Sequence, residues 1–328
     1  AVVEPAPTGP KSVTFYAPNV PLPAVVVAWP TVKYADADRA ALEVLDGVLS
    51  TGESSRLYRA LVYDKQIANS IGSSPDFAQQ AGNLTAYAIM ADGHDADEGI
   101  AALNEEIARL RDQPITAAEL AEAQNELVAS ALRSRETVED RAQALGFSLI
   151  NTGGAAAADQ AVAQIQAVTV ADVQRVARKY LMPQRQSTIT YLAADAAHPP
   201  SVQKMNVDAP VKVADLAPAG EPVALLPEGQ RAALPQAGPD VAPATPVVAD
   251  FRLDNGLRVL VAPTQGLPLV SARLNLKAGS VNDPSGKAGV AALTAALLTQ
   301  GTTTRSAPEI ATQIEQLGAA VGAGAGVD

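Results

Sequence analysis

The chain has 328 residues, 48% hydrophobic but only 4% aromatic, with a formal net charge of -11. Domains usually run to roughly 100–200 residues, so this length holds two compact units, or one with a long appendage, packed through small side chains and closely approaching helices. Asp and Glu outnumber Lys and Arg 35 to 24, which argues against a nucleic-acid partner, and the absence of Cys removes disulfides, thiolate metal sites and cysteine nucleophiles while leaving the compartment undetermined.

No stretch reaches the ~20 apolar residues that span a bilayer. The opening Ala-Val-Val-Glu-Pro-Ala-Pro has neither the basic nor the apolar region of a signal peptide.

In chain order, residues 12–32 read as two strands, Ser12–Tyr16 and Ala24–Pro30, separated by a proline-containing turn. A helix follows from about Asp36, with Leu42, Leu45, Val48 and Leu49 on one side and Asp38, Arg39, Glu43 and Asp46 assigned to the other. Ser54–Tyr63 suggests another helix. Asn69–Ile71 and Asn83–Met90 alternate as antiparallel strands, and Ile100, Leu103, Ile107 and Leu110 mark the next helix, with Glu105, Glu106, Arg109 and Arg111 outside the stripe.

Thr116 and Glu119 form a capping box, in which each side chain satisfies an otherwise orphan backbone N–H. Thr169 opens a later helix that runs to Tyr180 and stops at Pro183, and Gln186–Leu192 closes the unit as a strand. Strands, helices and sheet in this order predict an α+β fold, with a mostly antiparallel sheet packed by helices on one face.

Residues 196–246 are rich in Pro and Ala without any period, which reads as an extended linker between residues 1–195 and 247–328. Beyond it, Val247–Leu253 and Leu257–Val261 flank Asp254-Asn255-Gly256, a hairpin signal, since Asn-Gly readily takes positive φ. A strand over Leu269–Leu276, a helix over Lys287–Gln300 with Gly301 as left-handed C-cap, and a helix from the box Ser306/Glu309 to Leu317 are expected in turn.

Chemistry-bearing residues are sparse. His94 and His198 both sit in turn sequences and read as solvated loop residues, which leaves no two-histidine zinc site. Glu105/Glu106 and Glu119/Glu122 read as solvated helix faces rather than acid/base couples. Gly318–Gly326 lacks the strand-to-helix context and the lysine of a phosphate loop.

Lys277–Thr302, with its continuation Thr303–Gly318 and the Asp-Asn-Gly-Leu-Arg hairpin, resembles the inverted zinc-motif region of the insulinase/pitrilysin family. In active members that helix carries H-x-x-E-H, two histidines holding zinc and a glutamate activating water. The matching positions here are Ala292, Ala295 and Ala296, so the resemblance implies a zinc-motif-degenerate repeat with no catalytic or metal residue. The family's further glutamate ligand would fall beyond Asp328.

Residues 12–193 are similar to the C-terminal half of a family repeat, above all over Ser54–Ile71. Many members present an Arg and a Tyr toward peptide there. The matching positions are Val62 and Asn69, and Arg56, Tyr58 and Arg59 read as helix-surface residues.

The resemblance thus implies a non-catalytic portion of a bacterial zinc-dependent endopeptidase that encloses peptide between two repeats. Zinc would be held outside this segment, and the implied partners are a peptide substrate and other repeats or a homologous subunit, without nucleic acid or membrane. The alternative is a catalytically inactive member acting as scaffold or partner subunit.

Overall fold

The computed structural model describes residues 8–201, 226–231, 233, 238, 247–263 and 268–327. The chain divides into two units, one of Pro7–Lys204 with Arg273–Asp328 and the other of Ala1–Ala6 with Met205–Ala272. Most of the expected linker, residues 196–246, lies outside the described residues.

The larger unit is built on a five-stranded mixed sheet of β1 (Lys11–Ala17), β2 (Ala24–Thr31), β3 (Ala68–Phe77), β4 (Gly82–Met90) and β5 (Ser187–Ala193). Its order is β1-β5-β2-β4-β3. β5 runs parallel to β1 and antiparallel to β2, and the remaining pairs are antiparallel. The first two strands are therefore sequence neighbours but not sheet neighbours.

Strand alternation sets the two faces. Val25, Val27 and Trp29 of β2 and Leu84, Ala86, Ala88 and Met90 of β4 point inward and are buried. Trp29 keeps its indole N–H satisfied by donating to the Met182 carbonyl at 3.2 Å.

Onto that face pack α1 (Arg39–Ser50), α2 (Ala96–Asp112) and α6 (Val170–Tyr180), with α3 (Ala117–Arg133) behind α1. Leu42, Leu45 and Leu49 of α1, Leu103 and Leu110 of α2, and Val173 and Val176 of α6 are completely buried. Each such side chain contributes about 1.5–3 kcal/mol when removed from water. α4 (Val138–Thr152) and α5 (Ala157–Gln166) complete the helical layer.

The expected box at Thr116/Glu119 forms, Thr169 caps α6 as expected in a box with Asp172, and a further box at Asp95/Glu98 opens α2. The expected helix over Ser54–Tyr63 instead winds into a π-helical turn over Tyr58–Asp64, where the Lys65 N–H reaches back to the Ala60 carbonyl at 3.1 Å.

The assignment of Asp38 and Asp46 to a solvent face does not hold. At 100° per residue they share a face with Leu42 and Leu49, and that face is covered. Asp38 is 7% exposed and accepts from Arg175 at 2.7 Å, Lys179 at 2.8 Å and Tyr180 at 2.7 Å. The Ser73 hydroxyl of β3 donates to Asp46 and lies 2.7 Å from the Ser50 hydroxyl.

Toward the end of the larger unit lie α7 (Val290–Leu297) and α8 (Ala307–Glu315). The helix expected over Lys287–Gln300 starts three residues later, because Gly289 at φ +99 sets a left-handed entry with its N–H on Asp283 at 2.7 Å. Gly301 does not cap it; the cap is Leu298 in right-handed conformation, and Gly301 makes an isolated bridge to Ser306. The box at Ser306/Glu309 forms as expected. No strand forms over Leu269–Leu276, since no neighbouring ladder among the described residues takes its N–H groups.

In the smaller unit, β6 (Ala249–Arg252) and β7 (Arg258–Val261) form the expected hairpin. Gly256 takes φ +85 in its turn, and Arg258 clamps Asp250 across the strands at 2.7 and 2.9 Å.

Candidate functional site

The three alanines expected at the metal positions lie on α7, and Ala292 and Ala296, four residues apart, share a face. Both are exposed and Ala295 is partly buried. Val290, Leu293, Leu297 and Leu298 around them are also exposed, so among the described residues α7 presents apolar side chains without a cover. A methyl group offers zinc no lone pair and can neither take nor give a proton, so these residues do not fit the metal. Among the described residues no group of three His, Asp or Glu side chains is arranged to hold one.

Val62 and Asn69 lie where the π-helical turn runs into β3. Val62 packs partly buried against the core. Asn69 is exposed at a β-bulge, where pairing passes from Ala68/Met90 to Ser70/Ile89. An isopropyl group and a short amide cannot reproduce a guanidinium with a phenol. Of their neighbours, Arg56 is committed to Glu119 through two contacts of 2.7 and 3.2 Å, while Arg59 is exposed.

The glutamate pairs are not uniformly solvated faces. Glu105 is exposed and held by Lys65 and Arg109, both at 2.6 Å. Glu106 is 4% exposed beside the π-helical turn, and burial pushes its carboxyl up despite Arg109 at 2.9 Å. Glu119 caps α3 and pairs with Arg56; partial burial works to raise its carboxyl, but the hydrogen bonds and charge of Arg56 and the hydrogen bonds of Thr116 together outweigh it and hold the carboxyl below the usual range.

Glu122 and Ser54 line a cavity of about 20 Å³ together with Gly47, Thr51 and Glu126. The Ser54 hydroxyl touches the carboxyls of both Glu122 and Glu315, the latter from α8. Burial, and then the nearby Glu315 and Glu119 carboxylates, push the Glu122 carboxyl up against the opposing effect of Ser54. This cluster escapes a linear reading because its members lie on a turn, on α3 and on α8; the one local signal is Glu119, Glu122 and Glu126 recurring at helical spacing.

Both histidines are turn residues as expected. His94 lies 2.9 Å from Glu98, and His198 lies 3.2 Å from Asp195 and stacks on Tyr16. No described helix is long and apolar enough to cross a membrane.

The larger unit, a mixed sheet with its helices on one face, is of the α+β class. Residues 1–127 match the Peptidase M16 inactive domain and residues 258–326 the Insulinase (Peptidase family M16) domain. An uncharacterized zinc protease of Mycobacterium tuberculosis (strain ATCC 25618 / H37Rv) is 33% identical over 145 residues, 44% of this chain and 32% of that protein.

Among solved structures, a protease from Helicobacter pylori superposes with a TM-score of 0.54 at 22% identity, covering 57% of this chain and 45% of that one. A peptidase M16 inactive domain from Pseudomonas fluorescens gives 0.51 at 19% identity, covering 62% and 47%. These likenesses carry the fold. The chain belongs to the insulinase/pitrilysin family, and it spans about a third of the length of the curated relatives it matches.

Proposed function

We propose that this chain is the non-catalytic joint of a zinc-dependent endopeptidase that encloses peptides between two repeats and hydrolyses them with a zinc site supplied from outside this segment. Residues 1–195 form the C-terminal half of one repeat, 196–246 the linker, and 247–328 the start of a second, zinc-motif-degenerate repeat. The observation that carries this reading is the sequence of matches along the chain. An inactive-domain match is followed by an insulinase-domain match whose motif helix holds Ala292, Ala295 and Ala296 where the metal and base residues would stand.

The same logic extends to substrate. Val62 and Asn69 replace the Arg and Tyr that would anchor peptide, so anchoring as well as water activation falls to another repeat of the same protein or to a homologous subunit. The division of labour gives each repeat half of the site and makes the two mutually dependent.

The test is metal analysis and peptide cleavage on the longer parent protein. Stoichiometric zinc with peptidase activity that a chelator abolishes is the expected result. A parent with neither metal nor activity overturns the enzyme reading and leaves a scaffold or partner subunit.

A further inference from the structure

The contact between α8 and the first repeat has a chemistry that its surroundings do not require. α8 sets its last residue, Glu315, over the turn that precedes the π-helical segment. One carboxyl oxygen accepts the Glu53 N–H at 2.8 Å and the other the Ser54 N–H at 3.1 Å. Gly52, at φ +80, leaves the space for it, since a Cβ there would overlap the Glu315 carboxyl. Just beyond, the Gln316 carbonyl accepts from Asn125 of α3 at 2.7 Å and the Gly318 carbonyl from Arg133 at 3.3 Å. Gly318 sits so close that a Cβ would lie 2.7 Å from the Asn125 carbonyl oxygen.

At the centre, the Ser54 hydroxyl meets Glu315 on one side and Glu122 of α3 on the other. A hydroxyl has one proton to donate, and an ionised carboxylate has none. Both contacts are hydrogen bonds only when one of the two carboxyls is protonated and donates to Ser54.

We propose that the turn over residues 52–56 and α3 form a docking surface for α8 that is closed by one carboxyl proton shared through Ser54, so that α8 is seated with that proton and released without it.

The local charge supports this arrangement. Facing the pair are Glu53 and Arg56 from the turn, Tyr58 and Arg59 from the π-helical segment, and Glu119, Glu126 and Arg133 from α3. α1 and its C-cap contribute only Gly47, Val48 and Thr51 to this wall. Arg56 is spent on Glu119, which leaves Arg59 and Arg133 against Glu53, Glu122, Glu126 and Glu315, so the carboxylates outnumber the remaining cations. Burial, together with Glu315, raises the carboxyls of both Glu122 and Glu126. Ionising the pair opposes two like charges across one hydroxyl, and moving α8 away relieves them.

The chain contains no Cys, so labels can be placed at will. Spin labels at Ala121→Cys on α3 and Gln313→Cys on α8, both at exposed positions, report docking in the whole chain by pulsed electron resonance. The seated population should fall by about threefold or more between about pH 5 and about pH 8. Glu122→Gln supplies a permanent N–H donor to Ser54 and should hold α8 seated at both pH values, with circular dichroism confirming the fold. A seated fraction that ignores pH, an absence of seating at either pH, or a Glu122→Gln protein that releases α8 as the unsubstituted chain does would each overturn the proposal.

Discussion

α1 and α7 are built from much the same text, alanines and leucines at helical spacing, and they meet opposite fates. α1 buries eight of its twelve residues between β3, α3 and α6, whereas α7 buries none of its eight. Apolar periodicity specifies a helix and a face; it does not supply the surface that the face needs. Leu45 is wholly buried and Leu293 is 62% exposed, although each is the central leucine of its helix. α7, where the resemblance places the degenerate motif, thus has no sheet over its apolar stripe among the described residues.

That contrast predicts a graded set of outcomes in denaturant unfolding. Leu45→Ala should cost the larger unit about 4 kcal/mol, the usual penalty for a cavity in a core with little room to relax. A loss below about 1 kcal/mol would mean that α1 is far looser than its burial indicates.

Next comes Asp38→Ala, which strips Arg175, Lys179 and Tyr180 of their common acceptor and should cost about 3 kcal/mol at neutral pH. Burial works to raise the Asp38 carboxyl, but the hydrogen bonds from Lys179, Tyr180 and Arg175 together outweigh it and bring it down to about 2. A depressed carboxyl stabilises the fold above its unfolded value near 4, and that stabilisation drains away as the pH falls toward 2. The gap between the original chain and Asp38→Ala should therefore narrow in acid; a gap constant from pH 7 to pH 2 would contradict the ionic role.

Asp46 has the opposite sign. Burial pushes its carboxyl up to about 6 against the Ser73 hydroxyl that donates to it. A proton held more tightly in the folded state stabilises below the unfolded value near 4, and the benefit is lost as pH rises through 6. Asp46→Asn should therefore gain about 2 kcal/mol at pH 8 and little at pH 3, read from urea midpoints at the two pH values. The smallest effect is reserved for α7, where Leu293→Ala should stay within about 0.5 kcal/mol. A cost comparable to that of Leu45→Ala would erase the distinction between the helices.

Local grammar made much of this legible in advance. The boxes at Thr116, Thr169 and Ser306 form where the spacing places them, because a cap is decided by residues three apart. The α+β class and the kinship followed from strand order and from two stretches of motif text. Grouping charged residues together misplaces Asp38 and Asp46, because four- and three-residue steps to Leu42 and Leu49 put them on the buried face.

Other features had no local signal. The insertion of β5 between β1 and β2 is a pairing across nearly the whole unit. The strand expected over Leu269–Leu276 has the right composition but no neighbour to bond among the described residues. Glu122 and Glu315 meet at Ser54 only after three separate segments have folded together.

The position of β5 bears on how the chain can be made. Among the described residues β1 is paired by β5 alone, Lys11 lying opposite Ser187, so the sheet stays incomplete while every helix from α1 to α6 emerges from the ribosome. High contact order of this kind slows folding and leaves β1 and the flank of β2 open to wrong partners in the interval. A fragment ending at residue 127, where the inactive-domain match stops, would contain four of the five strands yet have β1 adrift and β2 bare along one side. The stretch recognisable as an evolutionary module is therefore shorter than the stretch that must fold as one.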